Sequence, residues 1–229
     1  MIPMRAHFEA ELNSLRETML EMATCADNML AQAVEALISG NIELVQKVIA
    51  QDDTVDRYDI EIESKCLRLI ATQQPVARDL RTIGTALKVI TDVERIGDYA
   101  VDIAKIGRRL ARAQQIYRPL VDVPRLAHLS RVMLQDALQA FIHHDLNLVE
   151  KVIRDDDEVD RLYHAMRERL TQEIVEHPSS ALLALNIMFA AKYLERVSDH
   201  VVNIAERVWF VETGELKPAR EFLNEEDSP

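Results

Sequence analysis

The sequence predicts an all-α protein built as a tandem duplication of a three-helix bundle, with six long antiparallel helices. Glycine (5) and proline (7) together account for 12 of the 229 residues, which is less than half of their average usage of about 12%. Few positions therefore suit the tight turns of an all-β fold. Apolar residues recur at steps of three and four over long segments, as on one face of a helix. An internal repeat divides these helices into two related sets.

The internal repeat consists of two blocks. Residues 29–57 align with residues 133–161 at an offset of 104, and 15 of the 29 pairs are identical. Residues 94–104 align with residues 195–205 at an offset of 101, and six of the eleven pairs are identical. The offset falls by three between the blocks, so the second copy is shorter near its turn at Pro178. The chain is therefore a duplicated unit of about 100 residues.

The first repeat is predicted to contain three helices. The first spans about residues 5–39, and Gly40-Asn41 supplies a stop and then a cap for the next helix. The second spans about residues 43–72. The third spans about residues 76–112 and follows Pro75, a residue that suits the first turn of a helix.

The second repeat follows the same plan. One helix precedes His143-His144-Asp145, a second ends near Glu176, and a third ends near Gly214 after a turn at Pro178-Ser179-Ser180. Long helices joined by short turns are typical of antiparallel bundles.

These boundaries divide the chain into four segments. The first bundle is predicted to span residues 1–112 and the second residues 125–214, joined by a linker over residues 113–124 that contains Pro119 and Pro124. Residues 215–229 are predicted to form a loosely held, acidic tail.

Charge and composition exclude several classes of protein. The formal net charge is −12, which disfavours a binder of nucleic acid or of an anionic membrane. Cys25 and Cys66 match no metal or redox spacing, so we expect a reduced, intracellular protein. The N-terminal residues lack the apolar segment of a signal peptide, and no stretch approaches 18 uncharged apolar residues. We therefore expect neither a signal peptide nor a membrane span.

The most informative feature is a set of acidic residues on core-facing helix stripes. Residues four apart lie on one helix face, where like charges repel by about 0.2–0.5 kcal/mol per exposed pair. The repulsion grows when the charges are desolvated, so something must offset it. The polar positions concerned are Asp52 and Asp56 in the second helix, Glu94, Asp98 and Asp102 in the third, Asp156 and Asp160 in the fifth, and Glu195, Asp199 and Asn203 in the sixth.

Two interpretations of these residues are open. In the first, they form a solvated acidic face, or pair with nearby arginines, namely Arg57, Arg95, Arg161 and Arg196. In the second, each repeat supplies a cluster of oxygen ligands for Mg²⁺, Mn²⁺ or iron, with DxxxD on one helix and ExxxD on its neighbour. Both copies keep the acids while exchanging many neighbours, which favours the second interpretation.

Other chemistries have little support in the sequence. No histidine has a glutamate three residues before it, as a carboxylate-bridged di-iron bundle requires. The phosphate-binding loop, dinucleotide, nucleophile-elbow and HExxH motifs are absent. Aromatic residues make up 5% of the chain, too few to suggest the sugar-binding cleft of a glycosidase.

Three sequence motifs resemble those of the PhoU family. They are QPVARDLR at residues 74–81, DVERIGD at residues 92–98 and the related LERVSD at residues 194–199. The resemblance extends over about residues 5–214 and includes the duplication. It implies two three-helix bundles in a cytoplasmic, usually dimeric protein.

The same resemblance implies a regulatory function. PhoU proteins are negative regulators of the phosphate-starvation response, and they are expected to link the ATPase of the phosphate ABC transporter to a sensor histidine kinase. Under this hypothesis the protein binds no nucleic acid and reaches the membrane only through its partners. Catalysis is not expected.

The resemblance also implies metal clusters containing iron, manganese, magnesium or zinc. One site would use Asp52, Asp56, Glu94, Asp98 and Asp102, and the other Asp156, Asp160, Glu195, Asp199 and Asn203. Two departures stand out in the second copy: neutral Asn203 replaces Asp102, and Ser198 replaces Gly97. The second site would therefore carry one negative charge fewer.

Three functional hypotheses follow. The first is a regulatory adaptor without a catalytic step. The second is a metal-dependent phosphoesterase that uses the carboxylate clusters in a two-metal mechanism, for which the sequence shows no nucleophile or phosphate-binding loop. The third is a structural helical protein with incidental cation binding.

Overall fold

The computed structural model describes residues 4–115, 117, 119–219 and 221–222. Over these residues the chain forms six α-helices and no β-strand, which confirms the predicted all-α fold. None of the helices in this part of the chain is long and apolar enough to cross a membrane. The helices are α1 (Met4–Ser39), α2 (Ile42–Gln73), α3 (Ala77–Arg112), α4 (Val123–His143), α5 (Leu146–Glu176) and α6 (Ala181–Thr213), with a 3₁₀ turn at Pro178–Ser180 before α6.

The turns between the first two helices of each repeat are built alike. Asn41 caps α2 by accepting hydrogen bonds at Oδ1 from the backbone N–H groups of the second and third residues after it, at 2.9 and 3.4 Å. Asp145 caps α5 in the same way and at the same two distances. The residue before each cap has a left-handed backbone, with φ of 68° at Gly40 and 58° at His144. These side-chain caps satisfy N–H groups that a helix start otherwise leaves unpaired.

The structure corrects the predicted bounds of the linker and also the prediction for the tail. α4 begins at Val123, so Pro124 lies in its first turn instead of in the linker, as its fixed φ angle permits. Residues 116 and 118 of the linker lie outside the described residues. The remaining linker residues connect α3 to α4.

The first part of the tail is not loose. Phe222 is buried with its ring edge against Trp209, at a centroid distance of 4.7 Å. The Ala219 backbone N–H donates to Glu206 Oε1 at 2.5 Å. The sequence did not predict this contact, because the tail is acidic overall and a single aromatic residue produces no periodic pattern. Residues 223–229 lie outside the described residues.

The two bundles pack on each other through α3 against α6 and α1 against α4. α3 and α6 are antiparallel, because Arg78 near the start of α3 contacts Glu212 at the end of α6. At the other end of the pair, Arg109 Nη1 donates to Asn186 Oδ1 at 3.2 Å. The buried apolar side chains of both bundles form one continuous core.

Reciprocal contacts show that an approximate two-fold axis relates the repeats. Asp27 in α1 pairs with Arg131 in α4, which occupies the equivalent position of the second repeat. Between α3 and α6, Asp92 contacts His200, and the equivalent pair of residues is Tyr193 with Tyr99. The internal duplication is therefore visible in the packing as well as in the sequence.

Two glycines of α3 provide a matched test of this packing. A Cβ atom added at Gly107 would lie 3.0 Å from the backbone of Ala36 and Leu37 in α1, whereas one at Gly84 meets nothing within 4 Å. We expect Gly107→Ala to lower the free energy of unfolding by about 1–3 kcal/mol through overpacking. Gly84→Ala should raise it by up to about 1 kcal/mol, since alanine favours the helix. Urea denaturation measures both, and equal effects of the two substitutions would contradict the close helix contact.

Candidate metal centre

The first carboxylate cluster, defined as Asp52, Asp56, Glu94, Asp98 and Asp102, lies where α2 packs against α3. Burial raises the pKa of Asp52, and the charges of Asp56 and Asp98 raise it further. Burial and Asp98 likewise raise the pKa of Glu94, with a smaller contribution from Asp56. The structure thus brings the first four of these carboxylates close enough to disfavour one another's charge.

Asp102 lies at the edge of this cluster. Its Oδ1 atom is 3.3 Å from Lys105 Nζ, one turn further along α3. The same lysine opposes the rise in the pKa of Asp52. Lys105 was not among the counter-charges considered from the sequence, although its spacing of three residues from Asp102 is the signal that would have found it.

The second cluster, defined as Asp156, Asp160, Glu195, Asp199 and Asn203, lies where α5 packs against α6. Burial, followed by the charges of Asp160 and Asp199, raises the pKa of Asp156 to about 7. Burial and Glu195 also raise the pKa of Asp160 and that of Asp199. Four carboxylates converge here, as they do in the first cluster.

Asn203 is engaged with the neighbouring bundle. Its Nδ2 atom donates to Asp92 Oδ1 of α3 at 3.1 Å, and His200 Nδ1 lies 2.8 Å from the same oxygen. Asp92 and His200 were not expected at a functional site from the sequence. Because Asp92 is on another helix, only the tertiary structure brings these residues together.

Arginines offset part of the negative charge in each repeat. Arg95 contacts Glu94 at 3.4 Å and Asp98 at 2.8 Å. Its counterpart Arg196 contacts Asp199 at 3.2 Å. The paired-arginine interpretation of the sequence is therefore correct for these two residues.

The other expected counter-charges behave differently. Arg57 donates its Nε–H to the backbone carbonyl of Asp53 at 3.1 Å, and Arg161 does the same to Asp157 at 3.0 Å. In the second cluster the counter-charge of Glu195 is Lys192, whose Nζ atom lies 2.5 Å from a carboxylate oxygen. This lysine was missed in the sequence, although it precedes Glu195 by three residues.

The donor atoms of both clusters fit a hard cation in kind, because all the carboxylates offer oxygen ligands. Among the described residues, however, no three His, Cys, Asp or Glu side chains are arranged to hold a single metal ion. Arg95, Arg196 and Lys192 hold carboxylates that would serve as ligands. A bound cation would therefore compete with these ion pairs for the carboxylates. Asp52, Asp56, Glu94 and Asp98 would hold it in one repeat, and Asp156, Asp160, Glu195 and Asp199 in the other.

Comparison with known proteins identifies the family of this chain. The family model for the PhoU domain matches residues 19–107 and again residues 123–208. The chain belongs to the PhoU family. Each of the two matched PhoU segments contains one complete carboxylate cluster.

Curated PhoU relatives resemble this chain over nearly its whole length. A protein of Deinococcus radiodurans, named phosphate-specific transport system accessory protein PhoU homolog, is 37% identical over 92% of this chain and 99% of its own. A protein of the same name from Clostridium acetobutylicum is 35% identical over 92% of this chain and 96% of its own.

Solved PhoU structures share the fold. The crystal structure of PhoU from Pseudomonas aeruginosa superposes with a TM-score of 0.86 at 35% identity, covering 91% of this chain and all of that one. The phosphate transport system regulatory protein PhoU from Streptococcus pneumoniae gives a TM-score of 0.84 at 28% identity, covering 92% and 99% of the two chains.

The serine that replaces a PhoU-motif glycine in the second repeat has a structural explanation. Ser198 Oγ donates to Ser130 Oγ at 3.0 Å, and both side chains are fully buried. In the first repeat the equivalent positions are Gly97 and Ala26, which carry no hydroxyl. The change therefore adds a satisfied polar contact between α4 and α6.

Proposed function

We propose that this protein is a regulatory accessory subunit of a phosphate-specific transport system, acting in the cytoplasm and without catalytic turnover. It restrains phosphate uptake and phosphate-starvation signalling by contacting the transporter ATPase and a sensor histidine kinase. The observation that carries the proposal is the match over more than nine-tenths of the chain to relatives named as accessory proteins of this system. The net charge of −12 supports action through protein partners instead of through DNA.

The second part of the proposal is that the two clusters bind divalent or iron ions, namely iron, manganese, magnesium or zinc. It is supported by the burial of the carboxylates and by the repulsion among them, which together raise the pKa values of Asp52 and Asp156. A cation reverses this penalty, because an opposite charge favours ionised carboxylates. The metal acts as a structural or binding element in this scheme.

The alternative of a metal-dependent phosphoesterase gains no support from the two cysteines. Burial raises the pKa of the Cys66 thiol to about 12 and raises that of Cys25 as well. Thiols with raised pKa values are poor nucleophiles. Arg95 and Arg196, which could have approached a phosphate, are engaged by their own acidic neighbours.

A deletion strain grown in ample phosphate tests the regulatory proposal. We expect its phosphate-starvation genes to be expressed when they are normally silent, and re-expression of this protein to silence them. Normal repression in the deletion strain would contradict the proposal. Metal-dependent phosphate-ester hydrolysis by the pure protein that is lost in Glu94→Ala would support the phosphoesterase instead.

A further inference from the structure

The corner where α1, α3, α4 and α6 meet holds one carboxylate among three arginines and a histidine. We call it the Glu212 corner and define it by Arg16, Arg78, Arg81, His144 and Glu212. Arg78 Nη2 donates to the two carboxylate oxygens of Glu212 at 2.7 and 2.6 Å. His144 Nδ1 lies 2.7 Å from Oε1 of the same carboxylate. Arg78 belongs to the QPVARDLR motif, which the carboxylate clusters do not use.

The corner contains more positive charge than this one carboxylate balances. Arg81 donates its Nε and Nη2 groups to the carbonyl of Val211 at 3.2 and 3.1 Å. Arg16 Nε is buried, and within the described part of the chain it has no hydrogen-bond partner. Burial lowers the pKa of His144, and Arg78 and Arg16 lower it further against the opposing effect of Glu212. A buried donor without a partner is costly, and an acceptor that reached Arg16 Nε would remove this cost.

Comparison of the repeats shows that the bundle architecture does not require the charged residues of the Glu212 corner. The positions equivalent to Arg16, Arg78, His144 and Glu212 are Leu120, Ser179, Gly40 and Ala111. The backbone arrangement is preserved, since a Cβ atom at Gly40 would lie 3.8 Å from the Ala111 Cβ. The opposite corner of the same architecture therefore carries no charged residue at these four positions.

We propose that the Glu212 corner is an oxyanion-binding site in which Glu212 is the resident anion and a free oxyanion, such as inorganic phosphate, displaces it. This inference goes beyond the proposed function and does not rest on it.

The chemistry of the corner suits a tetrahedral oxyanion. Guanidinium groups bind phosphate oxygens through paired, charge-assisted hydrogen bonds. Phosphate offers more acceptor oxygens than a carboxylate, so it would accept from Arg78 and His144 with oxygens left for a further donor, and Arg16 is near enough to lower the pKa of His144. The Arg78 side chain is 50% exposed while that of Glu212 is 15% exposed, so an anion reaches the site from solvent along Arg78.

The only tryptophan of the chain makes the site measurable. Trp209 precedes Glu212 by three residues on α6, so its fluorescence reports on this end of the helix. The experiment titrates potassium phosphate into the full-length protein at constant ionic strength, with chloride as the balancing anion. Equilibrium dialysis with radiolabelled phosphate measures binding independently of any fluorescence change.

We expect saturable phosphate binding by the wild-type protein. Glu212→Gln removes the competing charge and should bind phosphate about tenfold more tightly, whereas Arg78→Ala should bind at least tenfold more weakly. Arg125→Ala is the matched control, because this arginine forms an exposed ion pair with Glu158 elsewhere. It should bind phosphate as the wild type does. Circular dichroism checks that each variant is folded.

Three results would overturn the proposal. The first is an absence of saturable phosphate binding by dialysis in both the wild type and Glu212→Gln. The second is an equal loss of binding in Arg78→Ala and Arg125→Ala, which would indicate non-specific attraction. The third is phosphate binding by Glu212→Gln that is no tighter than that of the wild type, which would show that Glu212 is not a competitor.

Discussion

Replacing Asp27 with alanine is expected to lower the free energy of unfolding by about 3 kcal/mol, because it removes the anion that ties α1 to α4. Asp27 accepts from Arg131 Nε and Nη2 at 2.6 and 2.9 Å and from Gln135 Nε2 at 3.3 Å. The Asp27 side chain is 12% exposed. Loss of one partner of a buried ion pair costs about 3–5 kcal/mol. The partial exposure of Arg131 places the expected value at the lower end, equivalent to a fall in Tm of about 6–12 °C.

A more exposed ion pair between two helices serves as the control. Glu158 of α5 and Arg125 of α4 lie 2.9 Å apart, with side chains 45% and 58% exposed. Glu158→Ala should cost less than about 1 kcal/mol, as is usual for a surface pair. The double variant Asp27→Ala/Arg131→Ala should be less destabilised than the sum of the single variants. If Asp27→Ala costs no more than Glu158→Ala in urea denaturation, the ion pair does not hold the two bundles together.

Replacing Asp156 with asparagine is expected to stabilise the metal-free protein at alkaline pH. The pKa of Asp156 rises from 3.8 to about 7 on folding, which sets an upper limit of about 4 kcal/mol on its effect. Solvent screening of this partly exposed group reduces the expected gain to about 2 kcal/mol. Since the folded pKa is the higher one, wild-type stability is lost as the pH rises toward and through 7. The advantage of the variant should therefore grow between about pH 4 and pH 7 and then level off.

Thermal denaturation in the presence of a chelator measures this effect. Asp52→Asn is the matched control at the equivalent position of the first repeat, where Lys105 opposes the rise in pKa, so its gain should be smaller. Adding Mn²⁺ at pH 8 should stabilise the wild type more than Asp156→Asn, because the variant loses a ligand. A pH-independent difference between variant and wild type would contradict the account of the second cluster.

Much of the fold could be predicted from the sequence, because the duplication presents the sequence pattern of each helix twice. The Gly40-Asn41 stop and cap gave the end of α1 and the start of α2 closely. The start of α4 was less well predicted, since a proline is equally compatible with a linker and with the first helical turn. The contact of Phe222 with Trp209 could not be predicted at all from one aromatic residue.

The candidate site was predictable in its carboxylates but not in their partners. Four-residue spacing places Glu94 and Asp98 on one face, and the structure brings Asp52 and Asp56 to that face. The same spacing placed Asn203 with the second cluster, although its amide donates to Asp92 on α3. Helical periodicity gives the face of a residue within one helix, whereas the neighbour it meets depends on how the helices pack.

The most direct test of the central claim is complementation of the deletion strain with cluster variants. We expect the wild-type gene to restore repression of the phosphate-starvation genes in ample phosphate. Asp98→Ala and Asp199→Ala each remove a carboxylate from one cluster, and the protein with both changes should fail to restore repression although it is present at wild-type abundance. The charge-neutral control Gly84→Ala, on the exposed face of α3, should complement fully. Full repression by the protein that carries both cluster substitutions would contradict the proposal that the carboxylate clusters, as metal-binding elements, serve the regulatory function.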